Sequence, residues 1–430
     1  MRSRSLSNLF SFLFMTDSIN DLLAPFARFG INLGLTRIKS LLNLLGNPQD
    51  SVPLVHVAGT NGKGSVCAYL ASVLSTAGYR VGRYTSPHLV HWTERINLNG
   101  NPISEADLVA VLQEVTAKAQ GMRDVPTQFE IITAAAWVYF AQEKVDVAVM
   151  EVGLGGRLDA TNVSDSPLVS IIVSLSREHW QRLGPTVADI AREKAGVLKQ
   201  NCPAVIGQLP SDAAEVVKDK IAQLNCPAVW VKPAKVIKEA PIRQVSYNGI
   251  EYPLPLLGEM QLINSAVAVA ALQTLQDKGW NIPDSAIAEG MAQTQWQGRM
   301  QWYHWQGRQI LIDGAHNTAA AQYLRKYVES LNKPVVWLMG MLSTKDHRDI
   351  FVALLRPEDS LYLVPVPEHS TADPQELAAL ATEVCPQLNY CETEPDLFTA
   401  LNRIKEQHPQ EQIVFCGSLY LIGYFLNRQE

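Results

Sequence analysis

With 430 residues, the chain is too long for one compact core, so we expect two domains, with three as the alternative. Hydrophobic residues make up 47% and charged residues 18% of the sequence, which is typical of an ordinary globular protein. The net charge of −6 at pH 7 lacks the basic excess of a nucleic-acid scaffold, so we expect no nucleic-acid partner. Any acidic substrate must then be bound by lysines and arginines near its site, because the protein as a whole carries no net positive charge.

The first residues of the chain resemble a signal peptide only faintly. A short apolar run over 9–14 is followed by no small-residue cleavage site, and Met15 is an alternative start. We interpret residues 1–15 as a disordered N-terminal extension. No later run is long enough to span a bilayer, so no membrane association is expected. The six cysteines are widely spaced without a close metal-type pair, which favours a reduced cytoplasmic protein.

A glycine-rich turn with one lysine lies between a predicted strand, Val52–Val57, and a predicted helix, Ser65–Ala77. Its residues are Gly59, Thr60, Asn61, Gly62, Lys63, Gly64 and Ser65. Glycines let several backbone N–H groups point at one anion, and the helix N-terminus and Lys63 add positive charge, so the pattern predicts a phosphate-binding loop. The spacing departs from the standard loop, because Val57 occupies the position of its first glycine. A chance glycine turn is the alternative.

Short apolar runs continue to alternate with helical patterns after this loop. The further predicted strands are Tyr79–Tyr84, Val145–Glu151, Val169–Ser174 and Ala204–Ile206, and the further predicted helices are Glu105–Ala119 and Glu130–Gln142. Continuous apolar strands separated by helices predict a parallel sheet that is covered on both faces.

The pattern changes near Tyr247–Leu257, where an Asn-Gly turn and two prolines predict a hairpin, followed by a predicted helix over Asn264–Leu275. The alternation then resumes, with predicted strands at Ile310–Asp313, Val335–Met339, Leu361–Val364 and Ile413–Phe415. We place the domain boundary at Arg299–Met300. The expected fold is α/β, with a P-loop-containing, mostly parallel sheet domain over 16–299 and a smaller Rossmann-like α/β domain over 300–430.

Polar clusters follow several predicted strands, which is where open α/β sheets bind ligands. Ser86, Glu151 and Asp313 stand at or next to predicted strand ends, and His179 and Lys194 follow the fourth strand. Hydroxyl and carboxylate oxygens are ligands for Mg²⁺, whereas imidazole usually prefers softer metals. These residues all end or follow predicted strands, and this common position favours a ligand-binding site.

Each of these residues also has a purely structural interpretation. Lys194 taken alone is expected to form an ion pair with Glu193 or Glu178, and an isolated histidine such as His179 is more often structural. Asp313 and His316 are candidate helix caps after a strand.

Six segments together resemble the folylpolyglutamate synthase/dihydrofolate synthase family of Mur-ligase-like ATP-dependent amide ligases. They are Gly59–Ser65, Ser86–Leu89, Thr127–Glu130, Glu151–Asn162, Glu193–Gly196 and Asp313–Asn317. The resemblance extends over nearly the whole chain, from Gly34 through Ser418.

The resemblance implies a ligase reaction. ATP would phosphorylate a carboxylate of a pteroate or folate substrate, and the amine of L-glutamate would then displace phosphate and leave an amide. The same motifs serve two reactions, in which the acceptor is either dihydropteroate or the γ-carboxylate of a reduced folate. The resemblance also implies a monomer with these small-molecule partners.

Individual residues acquire expected roles from the resemblance. Asn264, Arg299, Asp313 and His316 would join Gly59–Ser65 in binding ATP. The pteroate or folate site would comprise Thr127, Gln128, Phe129, Glu130, Leu158, Asp159 and Ala160, with Phe129 stacking on the pterin. Two Mg²⁺ ions would bind Ser86, Glu151, His179 and Lys194 as a carbamate, with K⁺ as a further cofactor. Lys63, Lys194 and His179 would take part in catalysis.

Two positions depart from the family pattern, since Glu178 replaces a more usual aspartate and Met260 a more usual polar residue. A murein peptide ligase is the nearest alternative, but we expect no additional N-terminal domain that would hold a nucleotide sugar. A P-loop switch or assembly ATPase is the alternative from another class, and it leaves Lys194 and the Glu151–Asn162 segment unexplained.

Overall fold

The computed structural model describes residues 18–28, 30 and 32–428, so the extension predicted for residues 1–15 lies outside the described residues. Two large sheets, one in each half of the chain, carry hydrophobic cores on both faces. This architecture confirms the predicted α/β fold class. Within the described part of the chain, no helix is both long enough and apolar enough to cross a membrane.

The first sheet contains eight strands in the order β4-β3-β2-β5-β1-β6-β7-β8. They are β1 (Leu54–Ala58), β2 (Val81–Tyr84), β3 (Ile96–Leu98), β4 (Asn101–Pro102), β5 (Val147–Glu151), β6 (Val169–Ile172), β7 (Ala204–Ile206) and β8 (Ala228–Trp230). Neighbours run parallel except for β2–β3 and β3–β4, which are antiparallel at one edge. The carboxyl ends of β5, β1 and β6 therefore meet at the same edge of the sheet.

Helices cover both faces of this sheet. They are α1 (Ile19–Ala27), α2 (Thr36–Leu44), α3 (Lys63–Thr76), α4 (Glu105–Ala119), α5 (Gln128–Gln142), α6 (Trp180–Leu183), α7 (Val187–Lys194), α8 (Ser211–Gln223), α9 (Met260–Asp277) and α10 (Asp284–Gln293), with 3-10 helices at Pro48–Ser51, Trp92–Arg95 and Ala195–Val197. Side chains of β1 alternate between the faces, since Val55 and Val57 pack with α3 and α9 whereas Leu54 packs with α4 and α5. Burial on both faces explains why β1 is apolar almost throughout.

A small antiparallel sheet packs on the same core as α3 and α9. Its strands, in spatial order β11-β10-β9, are β9 (Lys235–Lys238), β10 (Arg243–Tyr247) and β11 (Ile250–Leu254). Tyr247 pairs with Ile250 across the Asn248-Gly249 turn, which confirms the predicted hairpin.

The second large sheet contains six strands in the order β12-β13-β17-β14-β15-β16. They are β12 (Gln301–Trp305), β13 (Arg308–Ile312), β14 (Val335–Met339), β15 (Ser360–Leu363), β16 (Tyr390–Thr393) and β17 (Gln412–Cys416). Only the β12–β13 pair is antiparallel among these described strands. The helices that pack on this sheet are α11 (Thr318–Glu329), α12 (His347–Leu354), α13 (Pro374–Val384), α14 (Leu397–Gln407) and α15 (Leu419–Asn427). The sheet and these helices are called the second domain below.

The strands that the sequence did not predict lie mainly at sheet edges. β12 and β16 flank the second sheet, while β8 and β9 are edge strands of the other two. An edge strand is partly exposed, and β9 is exposed along its whole length, so polar residues interrupt the apolar pattern. The four strands predicted in the second half of the chain correspond to the buried strands β13, β14, β15 and β17.

A buried histidine in β1 makes the fold sensitive to acid. His56 is 1% exposed, and its Nε2 lies 2.8 Å from Oγ1 of Thr161. Burial, with a smaller contribution from Lys199, lowers the pKa of His56 to about 3. Below about pH 6.5 the unfolded chain takes up a proton that folded His56 does not, so stability falls progressively as the pH decreases from 6.5 toward 3. We expect His56 to remove about 2 kcal/mol of stability between about pH 6.5 and 5.

Thermal unfolding at about pH 7.5 and about pH 5 checks this effect. The variant His56→Gln keeps a polar group near Thr161 but does not titrate, so its unfolding temperature should fall less on acidification than that of the native chain. An equal fall in both proteins would contradict the assignment to His56.

Candidate active site

The phosphate-binding loop connects β1 to α3. Lys63 is the first residue of this 14-residue helix, and Gly62 precedes it with a φ of 84°, in the left-handed region that favours glycine. A Cβ on Gly62 would lie 2.4 Å from Oδ1 of Asn264. The loop is fixed to the chain beyond β6, because the N–H of Thr60 donates to the carbonyl of Ser174 at 2.7 Å. The helix N-terminus therefore faces the carboxyl edge of the sheet.

Lys63 is oriented by its own loop. Its Nζ donates to the carbonyl of Thr60 at 3.1 Å and lies 3.9 Å from Oε1 of Glu151, the last residue of β5. Burial raises the pKa of Glu151, and the charge of Lys63 opposes that shift. A lysine and a carboxylate, whose side chains are 15% and 6% exposed, thus face each other at the sheet edge, where charge interactions are stronger than in bulk water.

Gly64 allows the indole of Trp296 to pack directly on the loop. A Cβ at Gly64 would lie 2.4 Å from the indole ring, whose centroid is 5.2 Å from the guanidinium carbon of Arg83. We expect Gly64→Ala to weaken ATP binding by about tenfold or more, because either the loop or the indole must shift. Calorimetric titration with a non-hydrolysable ATP analogue measures this loss.

The same substitution, Gly64→Ala, is also measured in a chain that already carries Trp296→Ala. Once the indole is absent, Gly64→Ala should weaken binding less than it does in the native chain, since the two positions are coupled by their contact. Equal losses in both backgrounds would contradict the proposed clash.

Three residues predicted as Mg²⁺ ligands, Ser86, Glu151 and His179, line one cavity. The N–H of Ser86 donates to Oε2 of Glu151 at 3.2 Å. Burial lowers the pKa of His179 to about 4, so its ring is neutral near pH 7 and offers a lone pair. Among the described residues, no group of three or more His, Cys, Asp or Glu side chains forms a metal centre. One carboxylate, one hydroxyl and one neutral imidazole fit an ion such as Mg²⁺, which keeps several waters and binds phosphate oxygens.

Lys194 ends α7 and is 5% exposed. Its Nζ donates to the carbonyl of Gly59 at 2.8 Å, whereas Glu193 pairs with Arg157 at 2.8 Å. The ion pair between Lys194 and Glu193, which the sequence suggested as a structural interpretation, is therefore wrong. Burial, reinforced by the charge of Lys63, lowers the pKa of Lys194 to about 7. Near pH 7 a large fraction of this lysine is consequently a neutral, nucleophilic amine.

A cavity of about 520 Å³, here called the loop cavity, lies between the phosphate-binding loop and the second domain. The predicted ATP-binding residues that line it are Thr60, Asn61, Gly62, Lys63, Gly64, Ser65, Asn264, Arg299, Asp313 and His316. Gly59 and Lys194 lie outside its lining. Trp296 and Tyr323 also line the loop cavity, and sequence reasoning missed them because single aromatic residues carry no spacing signal.

The segment at the predicted domain boundary, Arg299–Met300, is here called the hinge, and Asp313 connects it to the second domain. Its carboxylate accepts the N–H of Met300 at 2.8 Å and that of Ala315 at 2.8 Å. Burial raises the pKa of Asp313, and Arg299 makes the largest opposing contribution. The hinge residue Arg299 and the strand-end carboxylate therefore meet in the wall of the loop cavity.

Asn317, and not Asp313 or His316 as the sequence suggested, is the residue that caps α11. Its Oδ1 accepts the N–H of Ala320 at 2.9 Å at the start of α11. Its side-chain amide also exchanges two hydrogen bonds with that of Asn61, at 3.0 and 3.2 Å. Asn317 thus ties the phosphate-binding loop to the second domain, and its position before an amphipathic helix is the signal that could have identified it as the cap.

A second cavity of about 270 Å³, here called the small cavity, adjoins the first. The residues predicted for the pteroate or folate site that line it are Thr127, Phe129, Glu130, Leu158, Asp159 and Ala160. Gln128, which was also predicted, lies outside this lining. The ring of Phe129 packs on Gly153, where a Cβ would lie 2.3 Å from it. This contact leaves an aromatic surface beside the glycine-rich segment that follows β5.

Several residues of the small cavity also hold the local backbone. Thr127 and Glu130 form the capping box of α5, in which the N–H of Thr127 donates to Oε2 of Glu130 at 2.7 Å. Asp159 accepts the N–H of Leu154 at 2.8 Å and the hydroxyl of Thr161 at 2.6 Å. The cavity walls are therefore pre-formed by hydrogen bonds that need no ligand.

A third cavity of about 550 Å³, here called the cationic cavity, lies between residues 177–182 and the second domain. Arg177, His316 and Lys345 line it together with Glu178 and Asp346, and the guanidinium of Arg177 lies 3.6 Å from the carboxylate of Asp346. Glu178 crosses the domain interface, with Oε1 3.0 Å from Nε2 of His316 and 3.6 Å from Nζ of Lys345. Burial acts to raise the pKa of Glu178, but the hydrogen bond from His316 and the charge of Lys345 hold it well below its usual value. Sequence reasoning missed Lys345, which no spacing links to the other residues.

Pro87 lines all three cavities, and Ser86 lines both the loop cavity and the small cavity. His179 and His316 are shared by the loop cavity and the cationic cavity. Three separate binding spaces therefore meet beside the end of β2. Such an arrangement can bring three small molecules into contact.

Two family models match the chain. The model for the C-terminal domain of dihydrofolate synthetase matches residues 300–428, and the model for the Mur ligase middle domain matches residues 57–272. Among curated proteins, a probable dihydrofolate synthetase of Schizosaccharomyces pombe is 35% identical over 408 residues, covering 91% of this chain and 97% of the relative. The folylpolyglutamate synthase of Lacticaseibacillus casei is 34% identical over 403 residues, covering 90% and 92%.

Solved structures agree with these sequence relationships. Folylpolyglutamate synthase of Mycobacterium tuberculosis complexed with ADP superposes with a TM-score of 0.84 at 31% identity, covering 95% of this chain and 97% of that structure. Escherichia coli FolC in complex with DHPP and ADP superposes with a TM-score of 0.83 at 30% identity, covering 95% of each chain. The resemblance inferred from the motifs is confirmed, and neither a murein ligase nor a switch ATPase is favoured. The chain therefore belongs to the folylpolyglutamate synthase/dihydrofolate synthase family of Mur-ligase-like ATP-dependent ligases.

Proposed function

We propose that this enzyme uses ATP to join L-glutamate to dihydropteroate, to the γ-carboxylate of folates, or to both, through an acyl-phosphate intermediate. The observation that carries the proposal is the convergence of three cavities on Pro87. A ligase of this type must bring a triphosphate, an acceptor carboxylate and an amine to one point. The family relationships supply the identities of the three substrates.

The loop cavity is the proposed ATP site. Its phosphate end is formed by the N-terminus of α3, whose N–H groups and partial positive charge suit the triphosphate. Lys63 adds a full charge at the point where phosphate must leave ATP. Arg299 and Asp313 belong to the hinge and the second domain, so ATP binding would be coupled to domain closure.

Ser86, Glu151 and His179 would hold Mg²⁺, which when bound offsets the negative charge of the phosphates. This proposal is supported by the chemistry of the donors and by their place beside Lys63. Conversion of Lys194 to a carbamate would add an anionic ligand. The step joins the neutral amine to carbon dioxide and releases one proton, so the lowered pKa of Lys194 favours it.

The small cavity is the proposed site for the pterin and aminobenzoate rings of the acceptor. Phe129 provides an aromatic face there, and Ser86 and Pro87 line the side that adjoins the loop cavity. The acceptor carboxylate would attack the terminal phosphorus of ATP at this junction, giving an acyl phosphate and ADP. A free carboxylate is a poor electrophile, whereas the acyl phosphate can release phosphate as a leaving group.

The cationic cavity is the proposed L-glutamate site. Arg177 and Lys345 would attract the carboxylates of the amino acid, and His316 lies where this cavity meets the loop cavity. The α-amine would then attack the acyl carbon, forming the amide, releasing phosphate and losing a proton. An amine that approaches from the cationic cavity reaches the acyl carbon without passing through the ATP site.

Release of phosphate in the presence of each substrate combination tests the proposed function. We expect rapid release only when ATP, L-glutamate and dihydropteroate or tetrahydrofolate are all present, with the glutamylated product detected by mass spectrometry. Phosphate release that is indifferent to L-glutamate and to the acceptor would instead indicate a switch ATPase. Size-exclusion chromatography of the same preparation tests the monomeric state that the family resemblance implies.

A further inference from the structure

Tyr420 occupies the wall between two cavities. It is the second residue of α15, and it lines both the small cavity and the cationic cavity, as Pro87 does. Among the described residues that line the small cavity, Tyr420 is the one that belongs to the second domain. The small cavity is therefore completed by this single aromatic side chain when the two domains are in contact.

The ring of Tyr420 is held in place by a stacked histidine. The imidazole of His369 stacks on it, with ring centroids 3.9 Å apart and an interplanar angle of 29°. The loop that carries His369 is anchored in turn, because the N–H of Ser343 donates to the carbonyl of Ser370 at 2.9 Å. Leu342 also forms a bridge with Thr371. Thus the loop that supports Tyr420 is bonded to the neighbouring loop, whose residues Leu342, Thr344 and Lys345 line the cationic cavity.

The size of the small cavity bears on which acceptor it suits. Its volume is about 270 Å³, compared with about 520 Å³ for the loop cavity. Typical ligand pockets range from about 300 to 1,000 Å³, so this one is at the small end. In an acceptor without a glutamyl tail, the reacting carboxylate is attached directly to the aromatic ring. A tailed acceptor places a whole glutamyl residue between the ring and the reacting carboxylate, and this needs additional room near Pro87 and Tyr420.

We propose that Tyr420 is a specificity-determining residue that makes the enzyme favour acceptors of the pteroate class, which carry no glutamyl tail, over glutamylated folates. The inference rests on the function proposed above and adds the choice of acceptor to it. The aromatic ring closes the end of the small cavity, contacts the acceptor near its carboxylate and excludes a tail. Removal of the ring joins the small cavity to the cationic cavity and opens a path for the tail.

Steady-state kinetics of Tyr420→Ala with two acceptors tests the proposal. The measured quantity is the ratio of kcat/KM for dihydropteroate to kcat/KM for tetrahydrofolate monoglutamate, at saturating ATP and L-glutamate. We expect the native ratio to favour dihydropteroate, and the variant ratio to fall by about tenfold or more, the effect of altered fit in an apolar pocket. A ratio unchanged from the native value, or equal losses for both acceptors, would overturn the proposal.

Three further variants distinguish loss of the ring from general damage. Tyr420→Phe keeps the aromatic wall and should retain the native ratio, and Tyr420→Leu replaces Tyr420→Ala if the alanine variant does not fold. Tyr424→Ala removes a tyrosine from the same helix whose ring packs near Phe398 and Arg428, outside the cavities, and should leave the ratio unchanged. If the native chain uses neither acceptor, the proposed function itself is refuted. If the native chain uses dihydropteroate but Tyr420→Ala has the same ratio as the native chain, only the role of Tyr420 is refuted.

Discussion

Lys63→Ala is expected to abolish glutamate ligation, with turnover lower by at least about a hundredfold. The side chain of Lys63 is 15% exposed, and its Nζ is aimed along the loop by the carbonyl of Thr60. Its charge therefore acts where little water competes, on the phosphate that moves from ATP to the acceptor. Production of ADP and of glutamylated product, measured with all three substrates, gives the size of the loss.

Lys118→Ala is the matched control for this experiment, because Lys118 is an exposed lysine in the last turn of α4. Its replacement removes the same charge from the chain and should leave turnover unchanged. Circular dichroism should show the same secondary structure in both variants. Near-native turnover of Lys63→Ala would contradict the assignment of Gly59–Ser65 as the phosphate-binding loop.

Lys194→Ala is expected to cause the second large loss, again at least about a hundredfold in turnover. The amine of Lys194 is buried, its pKa is lowered to about 7, and it contacts the carbonyl of Gly59 at the base of the loop. A carbamate formed there would carry a negative charge that alanine cannot supply. We therefore expect native activity to depend on bicarbonate, and Lys194→Ala to be rescued in part by short carboxylic acids.

The pH dependence adds a separate check on Lys194. Because only the neutral amine reacts with carbon dioxide, the bicarbonate-dependent part of the activity should rise as the pH increases through about 7. Lys194→Arg is a comparison variant, since its side chain stays positively charged and forms no carbamate, and it should be inactive at every bicarbonate concentration. Absence of both bicarbonate dependence and rescue would leave Lys194 with a structural role.

Much of the site was predictable from local sequence signals. The glycines and Lys63 of the phosphate-binding loop stand between an apolar strand and a helix, and this order alone indicates an anion site. Glu151 ends a continuous apolar strand, so its place at the sheet edge follows from the pattern. These inferences succeed because backbone periodicity and turn chemistry depend on neighbours in the chain.

Other features depend on residues that are distant in the sequence. The partner of Lys194 is the carbonyl of Gly59, 135 positions away, whereas reasoning from nearby residues suggested Glu193. The pairing of Asn317 with Asn61 spans 256 positions and joins the two domains. No spacing rule predicts such contacts, because they follow from how the two domains are placed against each other.

The sequence by itself determined the α/β class, the buried strands, the phosphate-binding loop and the residues at the strand ends. Each of these depends on apolar periodicity or on a short motif, which act over a few residues. Only the tertiary structure decided the edge strands such as β16, the meeting of three cavities at Pro87 and the place of Tyr420 between two of them. Edge strands have a weak apolar signal because one side faces water, and a cavity exists only where separate elements leave space between them.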